Sequence, residues 1–265
     1  MFANSRRLAG AGLCLGMLAA TGVMAGAQAE QQDVEATPYR PTVSNPADLS
    51  APGWLEMEMG WQRVRGGGDQ RRDSFPVLAK LAFSEDWGVL LGSELGIRRT
   101  DWDNNSFTGS GDTTVLLKHR IAGSGEGSAW GVEAGFKSPT AKDTLGSGKA
   151  DYLVNAIYSR DFAANHFDLN LNAAYIGAID ASEGRTQYGW AAALSHSLDA
   201  RWGVFGELSG YTRRGTAATE QFMAGASYNY SKRVVFDIGG AWGLNDASPD
   251  GTVFAGLTVL LGRLW

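Results

Sequence analysis

His166-Phe167-Asp168-Leu169-Asn170-Leu171-Asn172-Ala173-Ala174-Tyr175 decides how this chain is read. Phe167, Leu169, Leu171, Ala173 and Tyr175 fall on every second position, and His166, Asp168, Asn170 and Asn172 fall between them. A period of two puts the first set on one face of a β-strand and the second on the other. A helix would repeat its apolar residues three and four apart, and this stretch does not.

The same pattern returns along most of the chain. Leu55, Met57, Met59 and Trp61 oppose Glu56, Glu58 and Gln62. Trp87, Val89, Leu91 and Leu95 oppose Gly88, Gly92, Glu94 and Arg98. Val115, Leu117 and Ile121 oppose Lys118 and Arg120, and Trp130, Val132 and Phe136 oppose Glu133 and Lys137. Trp202, Val204 and Leu208 oppose Glu207, and Val234, Phe236 and Ile238 oppose Asp237. About twelve such segments of roughly ten residues can be counted, the length and repeat of strands that cross a bilayer.

Three features separate a membrane barrel from a soluble β-sandwich, which also alternates. The connectors are unequal: Ser84-Glu85-Asp86, Asp199-Ala200 and Ser231-Lys232 are tight, whereas Arg65–Asp73, Thr100–Gly111, Ser138–Gly148 and Asn245–Gly251 are longer and polar. Tight turns at one end and long loops at the other is the outer-membrane arrangement. Ala122–Ser128 is longer than the tight-turn end prefers. Aromatics also gather at segment ends. Trp54, Trp87, Trp130, Phe167, Trp202 and Phe236 open strands, and Phe83, Tyr158, Tyr230 and Trp265 close them at the same rim. Rings in such a girdle sit at headgroup depth, whereas a sandwich would hold them in its core. Finally, the chain ends on Trp265 in the apolar phase, the kind of terminus that outer-membrane assembly machinery recognises. A bilayer has no water to satisfy an open sheet edge, so the sheet must close. The expected fold is all-β, a transmembrane antiparallel up-and-down β-barrel over residues 54–265.

Residues 1–29 read as a signal peptide. Arg6 and Arg7 precede the apolar stretch from Leu8 to about Ala25, and Ala27-Gln28-Ala29 supplies the small residues before cleavage. The segment carries Cys14, the chain's one cysteine, so disulfides and cysteine-based zinc sites are excluded. Residues 30–53 contain Pro38, Pro41, Pro46 and Pro52 and read as a periplasmic N-terminal lead-in. A net charge of −5 gives no nucleic-acid footprint. The chain is expected in the outer membrane of a Gram-negative bacterium, with surrounding lipid, the assembly machinery and a small-molecule solute as its partners.

The inward face carries charges of both signs. Glu94, Arg98, Lys118, Arg120, Glu133, Asp168, Glu207 and Asp237 are the candidates to line the lumen or its constriction. Rings of charge sort solutes in pores, but the same charges could pair internally and fill the barrel. No metal-ligand spacing occurs among His119, His166 and His196. His196 lies between Ser195 and Ser197, which as strand neighbours face the other way, so no Ser-His catalysis is expected. Gly146-Ser147-Gly148-Lys149 lacks the residues that complete a phosphate loop: Asp143 stands for its first glycine and Ala150 follows the lysine. No enzyme activity, cofactor or metal is expected.

Several blocks resemble a known family. Arg40-Pro41-Thr42-Val43-Ser44-Asn45-Pro46-Ala47-Asp48, then Pro52-Gly53 and Trp54–Gln62, resemble the start of the outer-membrane family named for the phenol-degradation meta-pathway. Gly111-Asp112-Thr113-Thr114, Lys137-Ser138-Pro139-Thr140 and Gly146–Tyr152 are similar to its further blocks. The resemblance implies a barrel and solute uptake, some members being linked to aromatic catabolism, and carries over no catalytic residue. The expected function is an outer-membrane channel for small solutes, aromatic or hydrophobic ones included, gated by the extracellular loops. The alternatives are a structural or surface-interaction barrel with a self-plugged lumen and, further off, a membrane-embedded lipid hydrolase.

Overall fold

A computed structural model describes residues 34–142 and 144–265. The signal-peptide residues 1–29, residues 30–33 of the lead-in, and Asp143 lie outside the described residues.

Every regular element described is a strand. In chain order they are β1 (Trp54–Gly66), β2 (Asp69–Ala82), β3 (Trp87–Thr100), β4 (Ser106–Gly109), β5 (Thr113–Ala122), β6 (Ser128–Ser138) and β7 (Asp151–Phe162). There follow β8 (Asn165–Tyr175), β9 (Thr186–Ser197), β10 (Trp202–Arg213), β11 (Thr219–Ser231), β12 (Val234–Gly243) and β13 (Gly251–Arg263). Each pairs antiparallel with its sequence neighbour, except that β3 pairs with both β4 and β5. β1 pairs with β13, so the wall closes with no free edge. The four-residue β4 lies beside the outer end of β3 and continues β5 outwards along it, so twelve strands make the wall.

The alternation read from the sequence becomes an inside and an outside. Leu171, Val154, Leu194, Ile238 and Leu261 lie exposed on the outer face, as a lipid-facing surface requires. The girdle is present, and a second set of rings stands at the opposite rim. At the tight-turn rim Trp87 stacks on His119 with ring centroids 4.2 Å apart, and Trp130 meets Tyr158 and Trp202 meets Tyr228 at 4.8 Å each. At the other rim Phe222 stacks on Trp242 and Tyr152 tilts against Tyr175. Trp54 leaves the expected girdle: it is buried, beneath the Arg233 guanidinium at 4.5 Å.

Two local expectations change. The segment Arg65–Asp73 is not a loop, because β1 and β2 run out to Gly66 and Asp69 around Gly67-Gly68. In β3 an extra residue stands between Leu95 and Arg98 opposite Phe75 and Asp73, a β-bulge built on Gly96 at φ 54°. The bulge flips the faces beyond it. Arg98, expected inside, pairs with Asp73 on the outward phase of Phe75 and is exposed, while Ile97 turns inward and is buried.

The interior is filled from two sources. Phe205, Met223, Ala241 and Phe254 form an apolar cluster on the inner wall of β10–β13. In one row across the sheet, Phe205 opposes Gly225, Gly225 opposes Gly239 and Gly239 opposes Phe254. A Cβ on Gly225 or Gly239 would come within 2.7 Å of a phenyl ring, so the two rings close over the paired glycines. The second source is residues 34–53. Where the sequence reads as a lead-in outside the barrel, the hydrogen bonds put this segment among the inward side chains.

Candidate functional site: the barrel interior

The segment 34–53 enters at the tight-turn rim, where the Ala36 N–H donates to the Lys232 carbonyl at 2.7 Å. It has no strand partner, so its backbone N–H groups need other acceptors inside the barrel. Wall carboxylates supply them. Thr37 N–H donates to Glu56 at 3.1 Å, Tyr39 N–H to Glu58 Oε1 at 2.7 Å and Arg40 N–H to Glu58 Oε2 at 3.0 Å. Lys80 Nζ lies 2.6 Å from Glu56 and 2.5 Å from Glu58, and all three side chains are buried. Removing one partner from such a group would leave an uncompensated charge.

Arg40 reaches Asp237 at 3.3 Å. Its path is set by a register row in which Asp237 opposes Gly256 and Gly256 opposes Gly60. A Cβ on Gly60 would fall 2.5 Å, and one on Gly256 2.6 Å, from guanidinium nitrogens, so the side chain crosses the bare backbone of two strands. The segment then turns. Val43 N–H donates to Glu207 Oε1 at 3.0 Å, and Ser44 N–H and Oγ both donate to Glu207 Oε2 at 2.8 Å.

The returning limb follows the opposite wall. Asn45 Nδ2 donates to Glu133 at 3.0 Å, and Asn45 exchanges two bonds with Asn170. Lys118 donates to the Pro46 carbonyl and pairs with Glu133 at 3.2 Å. Ala47 N–H donates to Ser159 Oγ at 2.7 Å, and Ala47 packs on Ala129 and Ile157. Arg120 pairs with Asp48 at 2.7 Å before the chain enters β1. The limbs are tied by Tyr39, whose hydroxyl donates to the Asp48 carbonyl at 2.6 Å. The Tyr39 ring lies between the ammoniums of Lys80 at 3.9 Å and Lys118 at 4.1 Å, a double cation–π contact. The result is a hairpin plug, residues 34–50, in the tight-turn half of the lumen.

Six of the eight expected lumen residues bear on this plug or its immediate supports. Lys118, Glu133, Glu207 and Asp237 hold it directly. Asp168 accepts from Ser159 and lies 3.0 Å from His166 Nε2. Arg120 fastens the exit. Glu94 sits apart in the long-loop half, taking bonds from Gln62 at 3.0 Å, Ser74 at 2.8 Å and Arg72. Arg98 is outside. Sequence reading missed the residues that fill the lumen, Tyr39, Arg40, Ser44 and Asn45, together with the inward Phe205, Met223 and Phe254. Phe205 was within reach, since it shares the phase of Glu207.

The lumen divides at the apex of the plug. Towards the long loops lie a cavity of about 450 Å³ with Arg72, Glu94, Asp112 and Lys137 on its walls, and one of about 270 Å³ walled by Val43, Asn172, Gln187, Ser209 and Gln221. Towards the tight turns lies one of about 240 Å³ between Arg40, Thr42, His166, Asp168 and Asp237. Val43, its backbone held by Glu207, stands between the second and third. Among the described residues no group of three or more His, Cys, Asp or Glu could hold a metal ion.

Residues 29–261 match the family described as "Putative MetA-pathway of phenol degradation". The chain belongs to this family. Its fold is similar to the COG4313 outer membrane channel from Pseudomonas putida F1, with 12% identity, a TM-score of 0.64, and 81% of this chain and 98% of that one covered. It is also similar to the NanC porin, at 10% identity, a TM-score of 0.56 and coverage of 78% and 100%. The CymD monoaromatic hydrocarbon channel aligns at 10% identity, a TM-score of 0.50 and coverage of 81% and 90%. No curated protein matches the sequence. These likenesses show a closed antiparallel barrel of the kind found in outer-membrane channels, the fold expected from the alternation.

Proposed function

We propose that the protein is an outer-membrane channel for small solutes, aromatic or hydrophobic ones included, and that the N-terminal plug is the part that must shift to open it. The observation that carries this reading is the clasp of Val43 and Ser44 on Glu207, which stands between cavities open towards opposite ends. The long loops are a second control point. Asp112, on the wall of the long-loop cavity, holds Ala141 and Ser147 through their N–H groups. Glu94, Arg120, Lys118, Glu133, Asp168 and Asp237 set the charge a solute meets on either side of the clasp. Membership in a family named for phenol degradation and the fold shared with a monoaromatic hydrocarbon channel support the solute class. Export through residues 1–29, surrounding lipid, and recognition of the exposed Trp265 by assembly machinery complete the proposal.

A second reading is favoured by the same network. A plug held by this many buried bonds also suits a structural barrel that never opens. Planar-bilayer conductance of the refolded mature protein separates the two. Discrete steps in the wild type, more frequent in Glu207→Gln, support the channel. Silence from both, in protein whose gel mobility shows a folded barrel, establishes the sealed one.

A further inference from the structure

The connector Gly123–Gly127 between β5 and β6 is the longest at the tight-turn rim. It is folded rather than extended. Ser128 Oγ donates to the Gly125 carbonyl at 2.7 Å and accepts from the Gly125 N–H at 3.2 Å, and the Asp161 N–H donates to the Gly127 carbonyl at 2.7 Å. Beneath it, on the outside of the wall, opens a cavity of about 1030 Å³. Its lower wall is Trp130, Tyr158, Leu169 and Leu171, all in the lipid-facing phase.

The upper part carries charge. Arg160 pairs in register with Phe167, which puts it on the lipid-facing side two residues beyond Tyr158. Its guanidinium has no hydrogen bond or ion pair among the described residues. An unpaired guanidinium beside a girdle of rings stands at phosphate depth, and its planar fork suits two oxygens of one phosphate. Glu126 and Asp161 line the same upper part. Asp161 is already paired with His166 Nδ1 at 2.6 Å, while Glu126 is exposed in the connector. Carboxylates there oppose a headgroup whose only charge is negative, and they complement one that also carries an ammonium.

We propose that the pocket under the β5–β6 connector binds one zwitterionic phospholipid with a primary ammonium headgroup. Arg160 takes the phosphate, Glu126 the ammonium, and Trp130, Leu169 and Leu171 the upper acyl chain. The proposal rests on the outer-membrane placement of this rim, and it is independent of whether the lumen conducts.

The test is native mass spectrometry of the protein released from nanodiscs holding equal amounts of phosphatidylethanolamine and phosphatidylglycerol with identical chains. The wild type should retain phosphatidylethanolamine. Arg160→Gln should lower that retention about tenfold, the value of one charge-assisted hydrogen bond lost. Glu126→Gln should shift the ratio towards phosphatidylglycerol, and Arg201→Gln, on a neighbouring turn of the same rim, should change neither. Leu171→Trp fills the cavity without touching the charges and should expel the lipid, which keeps the test intact if Arg160→Gln does not fold. Equal retention in wild type and Arg160→Gln, no preference between the lipids, or displacement by inorganic phosphate alone would each overturn the assignment. Conductance of the same samples is scored separately. A conducting protein that retains no lipid refutes the pocket, and a silent one that retains it refutes the channel.

Discussion

Glu207 accepts from two consecutive backbone N–H groups and one hydroxyl of the plug. Glu207→Gln keeps the shape but turns an amide N–H₂ towards one of those donors. An unsatisfied buried donor costs about 1–3 kcal/mol. The expected outcome is a population of unclasped channels raised tenfold or more, read as open time in bilayer recordings. Lys80 offers a different test. Lys80→Met leaves Glu56 and Glu58 facing each other without their ammonium, and should destabilise the folded barrel by about 3–5 kcal/mol in urea titrations followed by gel mobility. A loss under 1 kcal/mol would show that water or a proton replaces the lysine at little cost. Glu94 and Arg98 form a natural pair of controls. Glu94 faces the lumen and Arg98 the exterior, so Glu94→Gln should change the cation-to-anion permeability ratio and Arg98→Gln should not.

At the scale of elements, the bulge in β3 decides which side chains enter the lumen. Gly96 sits at φ 54°, a conformation that costs an L-residue about 1–2 kcal/mol, and its Cβ would press on the Phe75 ring at 3.1 Å. Gly96→Ala should lose about that much stability, while Gly262→Ala, whose Cβ would meet nothing, should be neutral. The tight turn after β9 gives a pH test. Backbone N–H groups of Arg201 and Trp202 donate to Asp199 and hold its carboxyl below the usual carboxylate range. Its contribution is therefore complete above the unfolded carboxylate pKa and lost as pH falls through the lower native value. An NMR titration of that carboxyl should find the low midpoint. The strands themselves were legible because lipid outside and side chains inside impose a period of two, visible from Leu55 to Trp61 and from Phe167 to Tyr175. One inserted residue at Gly96 was not legible, since a bulge leaves both neighbouring phases intact and only their relation changes. The plug was not legible either. Its backbone makes no regular pairing, so it imposes no period, and its prolines read as a free linker. The inward acids read as half of a lumen charged in both signs, so they did not reveal a missing set of donors.

Taken as a whole, the tight-turn half of the lumen is acidic beneath its plug. Glu56, Glu58, Glu133, Asp168, Glu207 and Asp237 stand against Lys80, Lys118 and Arg120 on the wall; plug N–H groups and Arg40 meet Glu56, Glu58, Glu207 and Asp237, while Ser159 and His166 meet Asp168. Whenever the plug leaves, the exposed carboxylates should make the open state prefer cations. Bilayer recordings of Glu207→Gln under a salt gradient should show that sign of reversal potential, and an anion preference would mean that the plug stays seated while current flows. Seating can also be measured directly. In a Cys14→Ser background, an introduced Ala47→Cys should react with a polar maleimide far more slowly than Trp102→Cys, because Ala47 is fully buried and Trp102 is 59% exposed.

The plug immediately precedes β1, and β1 meets β13 to form the seam of the wall. The residues that occupy the interior are therefore the first of the described chain to be synthesised, and the strand that seals it is the last. Threading a finished cylinder would drag Arg40 and Asn45 past unpaired carboxylates, whereas wrapping the sheet around a hairpin already in place satisfies each acid as its strand arrives. Wrapping in that order would cast the barrel around its own N-terminal segment and make that segment an internal mould for assembly.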